Sequence, residues 1–106
     1  MAPVDDGALA RVELEQSGDD VTVALGGEID ISNHEHVKSE LMRCLASSPK
    51  RLVLDVSGLA FMDSSGIAVL LQVATHVERV ELRNASPLVR RIVETTGIAD
   101  VLNLAP

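Results

Sequence analysis

The chain has 106 residues, the size of one folding domain, and its sixteen Asp and Glu against nine Lys and Arg give a net charge of −7 at pH 7. Negative charge opposes a phosphate backbone, and Phe61 is the only Phe, Trp or Tyr available for base stacking, so we expect no nucleic-acid binding. Cys44 is the only cysteine, which excludes an internal disulfide.

The N-terminal residues and the hydropathy pattern predict where the protein works. MAPVDDGALA has neither the basic start nor the long apolar stretch of a signal peptide, and no apolar run in the sequence is long enough to span a bilayer. We therefore expect a cytoplasmic protein with no direct membrane insertion. Residues 1–7 are predicted to be a loose polar lead-in to a single domain that occupies residues 1–106.

Alternating residues predict a β-hairpin at the start of the domain. Apolar residues at 10, 12 and 14 alternate with charged residues at 11, 13 and 15, as in a half-buried strand. Residues 17–20 (SGDD) supply turn chemistry, after which Val21, Val23 and Leu25 resume the alternation. The hairpin is predicted to close at Gly26-Gly27.

A helix is predicted next. Ser32 is a good N-cap residue, and the helix should run from there to about Ser47, before Pro49. Its buried face is predicted from apolar residues at helical spacing. These residues are Val37, Leu41, Cys44 and Leu45.

The centre of the chain predicts an interior strand followed by a second helix. Apolar residues occupy both odd and even positions of this strand (Leu52, Val53, Leu54 and Val56), so it should be covered on both faces. Asp63-Ser64-Ser65-Gly66 then supplies the side-chain oxygens that a helix N-terminus needs. The inward face of this helix is predicted to consist of Ile67, Leu70, Leu71 and Ala74.

The last third predicts a strand around residues 80–82 and a third helix capped by Ser86, with Pro87 at its first position. That helix carries Leu88, Ile92 and Val93, it ends at Thr96-Gly97, and residues 101–104 are predicted to form a last strand. Strands that alternate with helices after a hairpin indicate an α/β domain with a mixed sheet, antiparallel first and parallel later. Right-handed connections place the helices mainly on one face.

Ser64 and Ser65 are the candidates for chemistry, and two interpretations are open. The serines are either a helix cap alone or phosphoacceptors, because a helix N-terminus tolerates an added anion. A hydrolase is disfavoured, since no G-x-S-x-G elbow is present. No acid/base pair or nucleotide-binding loop is visible either, so we predict no enzyme activity and no catalytic residue, cofactor or metal site.

Three segments together resemble one family. Residues 61–66 (FMDSSG) are similar to the signature of the bacterial STAS-domain anti-sigma factor antagonists. Residues 27–30 (GEID) resemble that family's Gly-Glu-Leu-Asp segment, and residues 86–91 (SPLVRR) with 96–98 (TGI) resemble its third recurring segment. The segments occur in the family's order and span nearly the whole chain. Departures are Ile67-Ala68 in place of Leu-Gly, and a segment from Gln72 to Val80 that is about one helical turn shorter than usual.

The resemblance implies a STAS-like fold and a partner switch. A member of this family binds an anti-sigma factor that is also a serine kinase, and so releases a sigma factor. ATP binds to the kinase, phosphorylation ends the interaction, and a PP2C-type phosphatase restores the antagonist. The phosphorylated serine of the family corresponds to Ser64, with Ser65 as the second candidate. The residues predicted to bind the partner are Glu28, Asp30, Met62, Asp63, Ser65 and Gly66.

The same resemblance leaves an alternative function open. A STAS subunit that never cycles phosphate would serve in a signalling scaffold or as the small partner of a lipid-transport ABC system. For either function we predict a monomer or a weak dimer.

Overall fold

A computed structural model describes residues 10–105 of the chain, and the predicted polar lead-in lies outside the described residues. The elements follow one another as two strands, a helix, a strand, a helix, a strand and two helices. The strands are β1 (Arg11–Ser17), β2 (Asp20–Ile29), β3 (Arg51–Met62) and β4 (Arg79–Arg83), and the helices are α1 (His34–Cys44), α2 (Ser64–Ala74), α3 (Pro87–Thr95) and α4 (Ala99–Leu102).

The strands form one mixed sheet in the order β1-β2-β3-β4. β1 and β2 pair antiparallel as a hairpin, whereas β2 with β3 and β3 with β4 pair parallel. The predicted α/β class and the change from antiparallel to parallel pairing are therefore confirmed.

The core lies between one face of the sheet and the helices. Successive side chains along β2, β3 and β4 point to opposite faces of the sheet, so every second side chain points into this core. The inward side chains of the sheet are Val21, Val23, Leu25, Leu52, Leu54, Val80 and Leu82, and those of the helices include Val37, Leu41, Val69, Leu70, Val73, Val89 and Val93. Of the predicted inward residues of α2, Leu70 is buried, whereas Ile67, Leu71 and Ala74 are half-buried against the core.

The opposite face of the sheet, called here the open face, has no helix on it among residues 10–105. Within residues 10–105, the prediction that β3 is covered on both faces is therefore wrong. Val53 is 1% exposed, yet it lies in register between Thr22 of β2 and Glu81 of β4 rather than under a second layer. The outward side chains that define the open face are Arg11, Glu13, Glu15, Asp20, Thr22, Ala24, Arg51, Val53, Asp55, Arg79, Glu81 and Arg83.

The second strand is longer than predicted. The hairpin pairing ends where Arg11 meets Gly26, but β2 continues to Ile29 along β3. Two shifts in register accompany this extension, one between Ala24 and Gly26 and one between Gly27 and Glu28. Gly27 has φ +88°, a conformation that glycine adopts without a steric cost. The glycine pair therefore marks an irregularity within the strand and not its end.

Two predicted helix and strand boundaries are corrected. α1 begins at His34 after Asn33, because the Ser32 side chain bonds to Asp30 instead of capping the helix. The helix ends at Cys44, before the predicted Ser47. Val101 lies in α4 rather than in a strand; only Leu104 bridges Leu82 of β4. By contrast, Ser86 Oγ accepts the Val89 N–H at 3.2 Å with Pro87 at the first position of α3, as predicted.

Candidate functional site

The carboxyl ends of β2 and β3 lie side by side and bring two loops together. Ile29 pairs with Met62, and the Asp63 N–H donates to the Ile29 carbonyl at 3.1 Å. Asp30 follows β2 and Asp63 follows β3, so the two acidic residues begin adjacent loops at the same edge of the sheet. Ligand and partner sites of α/β sheets commonly lie at this edge.

Ser64 is the first residue of α2 and is exposed. Asp63 is the N-cap, with an extended backbone, and its Oδ1 accepts the Ser65 N–H at 2.8 Å and the Gly66 N–H at 3.3 Å. Because Asp63 supplies the cap, the helix does not need the Ser64 hydroxyl, which forms no hydrogen bond within residues 10–105. Ser65 is half-buried. Of the two serines, Ser64 is the more accessible to a second protein.

The position of Ser64 is compatible with an added anion. The N-terminal end of a helix carries a partial positive charge, which lowers the cost of a phosphate there. Asp63 and the nearby loop residues Glu28 and Asp30 are acidic, so a phosphate would enlarge a negative surface that has no basic side chain among these residues. The start of α2 can therefore accommodate a phosphate on Ser64.

The loop after β2 is held by the side chain of Asn33, which is 5% exposed. Its Nδ2 donates to the Glu28 carbonyl at 2.8 Å, and its Oδ1 accepts the Asp30 N–H at 3.0 Å. Buried amides with both groups bonded fix the backbone around them. Asn33 thus fixes the conformation of residues 28–33, a role that the sequence reasoning missed, because the residue lies one position after the expected cap.

The Asp30 carboxylate is held in its charged form. Hydrogen bonds from the Ser32 hydroxyl (2.5 Å) and the Ser32 N–H (2.9 Å) to Asp30 Oδ1 hold the pKa of this carboxyl below its ordinary value. The charge at this edge is therefore a fixed feature of the surface at neutral pH.

Two of the predicted partner-binding residues cannot reach a partner in this structure. Met62 is 1% exposed and belongs to the core. Gly66 is buried, and a Cβ on it would lie 2.8 Å from the Met62 Cβ and 3.1 Å from the Ile29 Cγ2. Both residues pack α2 against the sheet. As a correction, Met62 and Gly66 support the site from inside and do not form its surface.

Two exposed apolar side chains accompany the serine at this edge. Ile31 is 73% exposed in the loop after β2, and Phe61 is 39% exposed beside Glu28 at the end of β3. The register shifts between β2 and β3 turn Phe61 outward, and these shifts cannot be read from the sequence. The exposed and half-buried residues at this edge, called here the Ser64 edge, are Glu28, Asp30, Ile31, Phe61, Asp63, Ser64 and Ser65.

Between residues 10 and 105, no three His, Cys, Asp or Glu side chains are grouped so as to hold a metal ion. No helix in that range is long and apolar enough to cross a membrane.

Comparisons with known proteins agree with one another. The model of the STAS domain family matches residues 11–106. The anti-sigma-F factor antagonist RsfA of Mycobacterium tuberculosis is 32% identical over 98% of this chain and 84% of its own length. An anti-sigma factor antagonist from Mycobacterium paratuberculosis superimposes with a TM-score of 0.82 at 24% identity, over 97% of this chain and 91% of that one. The anti-sigma factor antagonist SpoIIAA in its unphosphorylated form gives 0.75 at 25% identity, over 91% and 89%.

Proposed function

Because this chain belongs to the STAS-domain family of anti-sigma factor antagonists, we propose that it binds an anti-sigma factor through the Ser64 edge and thereby frees a sigma factor. We further propose that phosphorylation of Ser64 ends this interaction. The observation that carries the proposal is the exposed Ser64 hydroxyl at the start of α2, with the cap supplied by Asp63.

The proposed switch needs two enzymes that act on the chain. A serine kinase activity of the anti-sigma factor transfers the γ-phosphoryl group of ATP to Ser64 Oγ, and ADP leaves. A PP2C-type phosphatase hydrolyses the phosphoserine with water and restores the hydroxyl. ATP belongs to the kinase, so the antagonist itself needs no cofactor, and the cycle takes place in the cytoplasm.

The physical basis of the switch is the cost of burying a charge. A phosphate adds about −1.5 to −2 charge at neutral pH. In the complex that charge would be covered by the partner beside Asp63, and an unpaired buried charge costs roughly 3–5 kcal/mol. Since about 1.4 kcal/mol changes an affinity tenfold, one phosphate is sufficient to separate the two proteins. The free domain keeps the phosphate in water at a helix N-terminus, where the fold tolerates it.

Affinity measurements with matched serine variants test the proposal. An anti-sigma factor with serine kinase activity from the same organism is titrated with the wild type, with Ser64→Ala and Ser64→Asp, and with Ser65→Ala and Ser65→Asp as controls. We expect Ser64→Ala to bind and Ser64→Asp to bind at least about tenfold more weakly. Equal affinities of Ser64→Ala and Ser64→Asp would overturn the switch at this residue. A chain that binds a transporter subunit and not the anti-sigma factor would favour the alternative of a STAS subunit that does not cycle phosphate.

A further inference from the structure

The open face of the sheet is broad and charged, and nothing covers it among residues 10–105. Parallel register arranges its side chains in rows that run across the strands. One row is Ser17, Asp20, Arg51 and Arg79, the next is Glu15, Thr22, Val53 and Glu81, and a third is Glu13, Ala24, Asp55 and Arg83. The long charged side chains stand on the two outer strands, and shorter side chains occupy much of the middle.

The charge of this face differs from that of the whole molecule. The chain carries −7, whereas the open face holds four of the nine basic residues and five of the sixteen acidic ones, so it is nearly neutral. Its charges are also unevenly placed: β1 carries Arg11, Glu13 and Glu15, a net −1, and β4 carries Arg79, Glu81 and Arg83, a net +1. The face therefore has an acidic side and a basic side.

The middle of the open face carries a cluster of charges around Arg51. Arg51 lies between Asp20 and Glu81, at 3.4 Å from a carboxylate oxygen of each. Its Nε is shielded from solvent within the chain and makes no hydrogen bond, whereas the Arg51 side chain as a whole is 34% exposed. The exposed part of this side chain can meet a further acidic group placed over the middle of the open face.

From these observations we propose that two copies of the chain associate through their open faces, related by a two-fold axis parallel to the strands. This axis places β1 of one copy over β4 of the other and β2 over β3. The acidic side of each copy then meets the basic side of its partner. A two-fold axis perpendicular to the strands would place β1 over β1 and β4 over β4, which sets like charges against each other at both margins.

The register specifies which residues face each other. An axis parallel to the strands keeps each row opposite itself, so Arg51 faces the partner's Asp20, and Glu13 faces the partner's Arg83. The first contact gives the exposed part of the Arg51 side chain a further carboxylate, and the second joins the two charged margins. One pairing is unfavourable, because Glu15 faces the partner's Glu81. The charge of Glu81 is partly balanced within its own copy by Arg83, at 2.7 Å from its carboxylate.

The size of the open face limits the strength of the association. Four strands about 4.8 Å apart with about five residues each give a footprint of roughly 300–400 Å². This footprint is about half of the ~800 Å² per partner of a stable complex. The dimer is therefore weak, and it dissociates as salt screens the charged margins. No residue of the Ser64 edge belongs to the open face, so the inference does not depend on the proposed function.

Charge reversal with rescue tests the arrangement. Sedimentation equilibrium of the full chain is measured up to about 1 mM at about 0.02 M and about 0.5 M salt. We expect a dimer at low salt, and we expect Arg83→Glu or Glu13→Arg alone to raise its dissociation constant at least about tenfold. The two single variants mixed together should form a heterodimer, and the double variant should regain the wild-type association. Arg91→Glu, an exposed reversal on α3, is the matched control and should change little.

Each result decides the proposal. A wild type that stays monomeric at the highest concentration in low salt overturns it. So does a dimer that survives both single reversals, because that dimer would use another surface, such as the free edge of β1. Equal loss in the Arg91→Glu control would show a general charge effect and would also overturn the proposal. Thermal melts of the single variants verify that each is folded, and the rescue in the mixture cannot arise from unfolded chains.

Discussion

Replacing Asn33 by alanine should destabilise the domain more than any substitution of its exposed neighbours. The change removes the donor to the Glu28 carbonyl and the acceptor of the Asp30 N–H, at a site where Asn33 is 5% exposed. Each hydrogen bond contributes about 1 kcal/mol, and part of the desolvation cost of the two backbone groups is added, so we expect a loss of about 2–3 kcal/mol. For a domain of this size that loss lowers the Tm by about 10 °C.

Urea unfolding followed by circular dichroism measures this loss, with Ser32→Ala as the matched control. Ser32 also bonds to Asp30, but it is exposed, so its loss should stay within about 0.5 kcal/mol. Hydrogen exchange at the Asp30 amide should speed up in Asn33→Ala and not in Ser32→Ala. If the two variants unfolded at the same urea concentration, the Asn33 side chain would not hold this loop, and the reasoning would be refuted.

Three further predictions concern packing, pH and the thiol. Gly66→Ala should destabilise the domain by about 1–2 kcal/mol, because the overpacking of the new methyl group against Met62 and Ile29 costs more than the helix gains from alanine. Gly58→Ala is the control in the same urea assay, since its Cβ meets no atom nearer than 3.4 Å. The Arg83 hydrogen bond lowers the pKa of Glu81 below 4.5, so the charged Glu81 stabilises the folded domain above that pH, and this stabilisation is lost as the pH falls. Arg83→Gln should therefore flatten the decline in Tm below about pH 4.5. An unchanged decline would contradict this prediction. Burial raises the pKa of the Cys44 thiol, so a thiol reagent should label it only on unfolding, and rapid labelling of the native protein would contradict its position in the core.

The elements that were predicted correctly are those whose signals are local. The strand predicted from residues 10–15, the Asp63 cap of α2 and the Ser86-Pro87 start of α3 each depend on a few neighbouring residues, and the structure has all three. The predicted burial of β1 is only partly correct, because Leu14 is 52% exposed. Such signals act through backbone sterics and side-chain hydrogen bonds within one turn. They located Ser64 at the start of α2 and at the end of an interior strand without any knowledge of the fold.

The features that were missed depend on contacts between distant segments. Burial of Met62 and exposure of Phe61 follow from two register shifts between β2 and β3, which reset the alternation near the end of the strand. Residues 101–104 are apolar enough for a strand, yet only Leu104 reaches β4, and the preceding residues complete a short helix. A short apolar run cannot be assigned to a strand or a helix by its period alone.

The candidate site was likewise only partly visible in the sequence. Asp30 and Asp63 were both predicted to bind the partner, and the Ile29–Met62 pairing places them at the same edge of the sheet. Ile31 was not singled out, because a lone apolar residue in a loop has no signature of its own. Its 73% exposure beside an acidic loop became evident only from the folded chain.

The most direct test of the switch is to locate the phosphate. The wild type, Ser64→Ala and Ser65→Ala are each incubated with ATP and the serine kinase that binds the wild type, and the modified residue is mapped by mass spectrometry. We predict one phosphate on Ser64 in the wild type and in Ser65→Ala, and none in Ser64→Ala. A phosphate on Ser65 in the wild type, or on neither serine under conditions in which the kinase is active, would contradict the account.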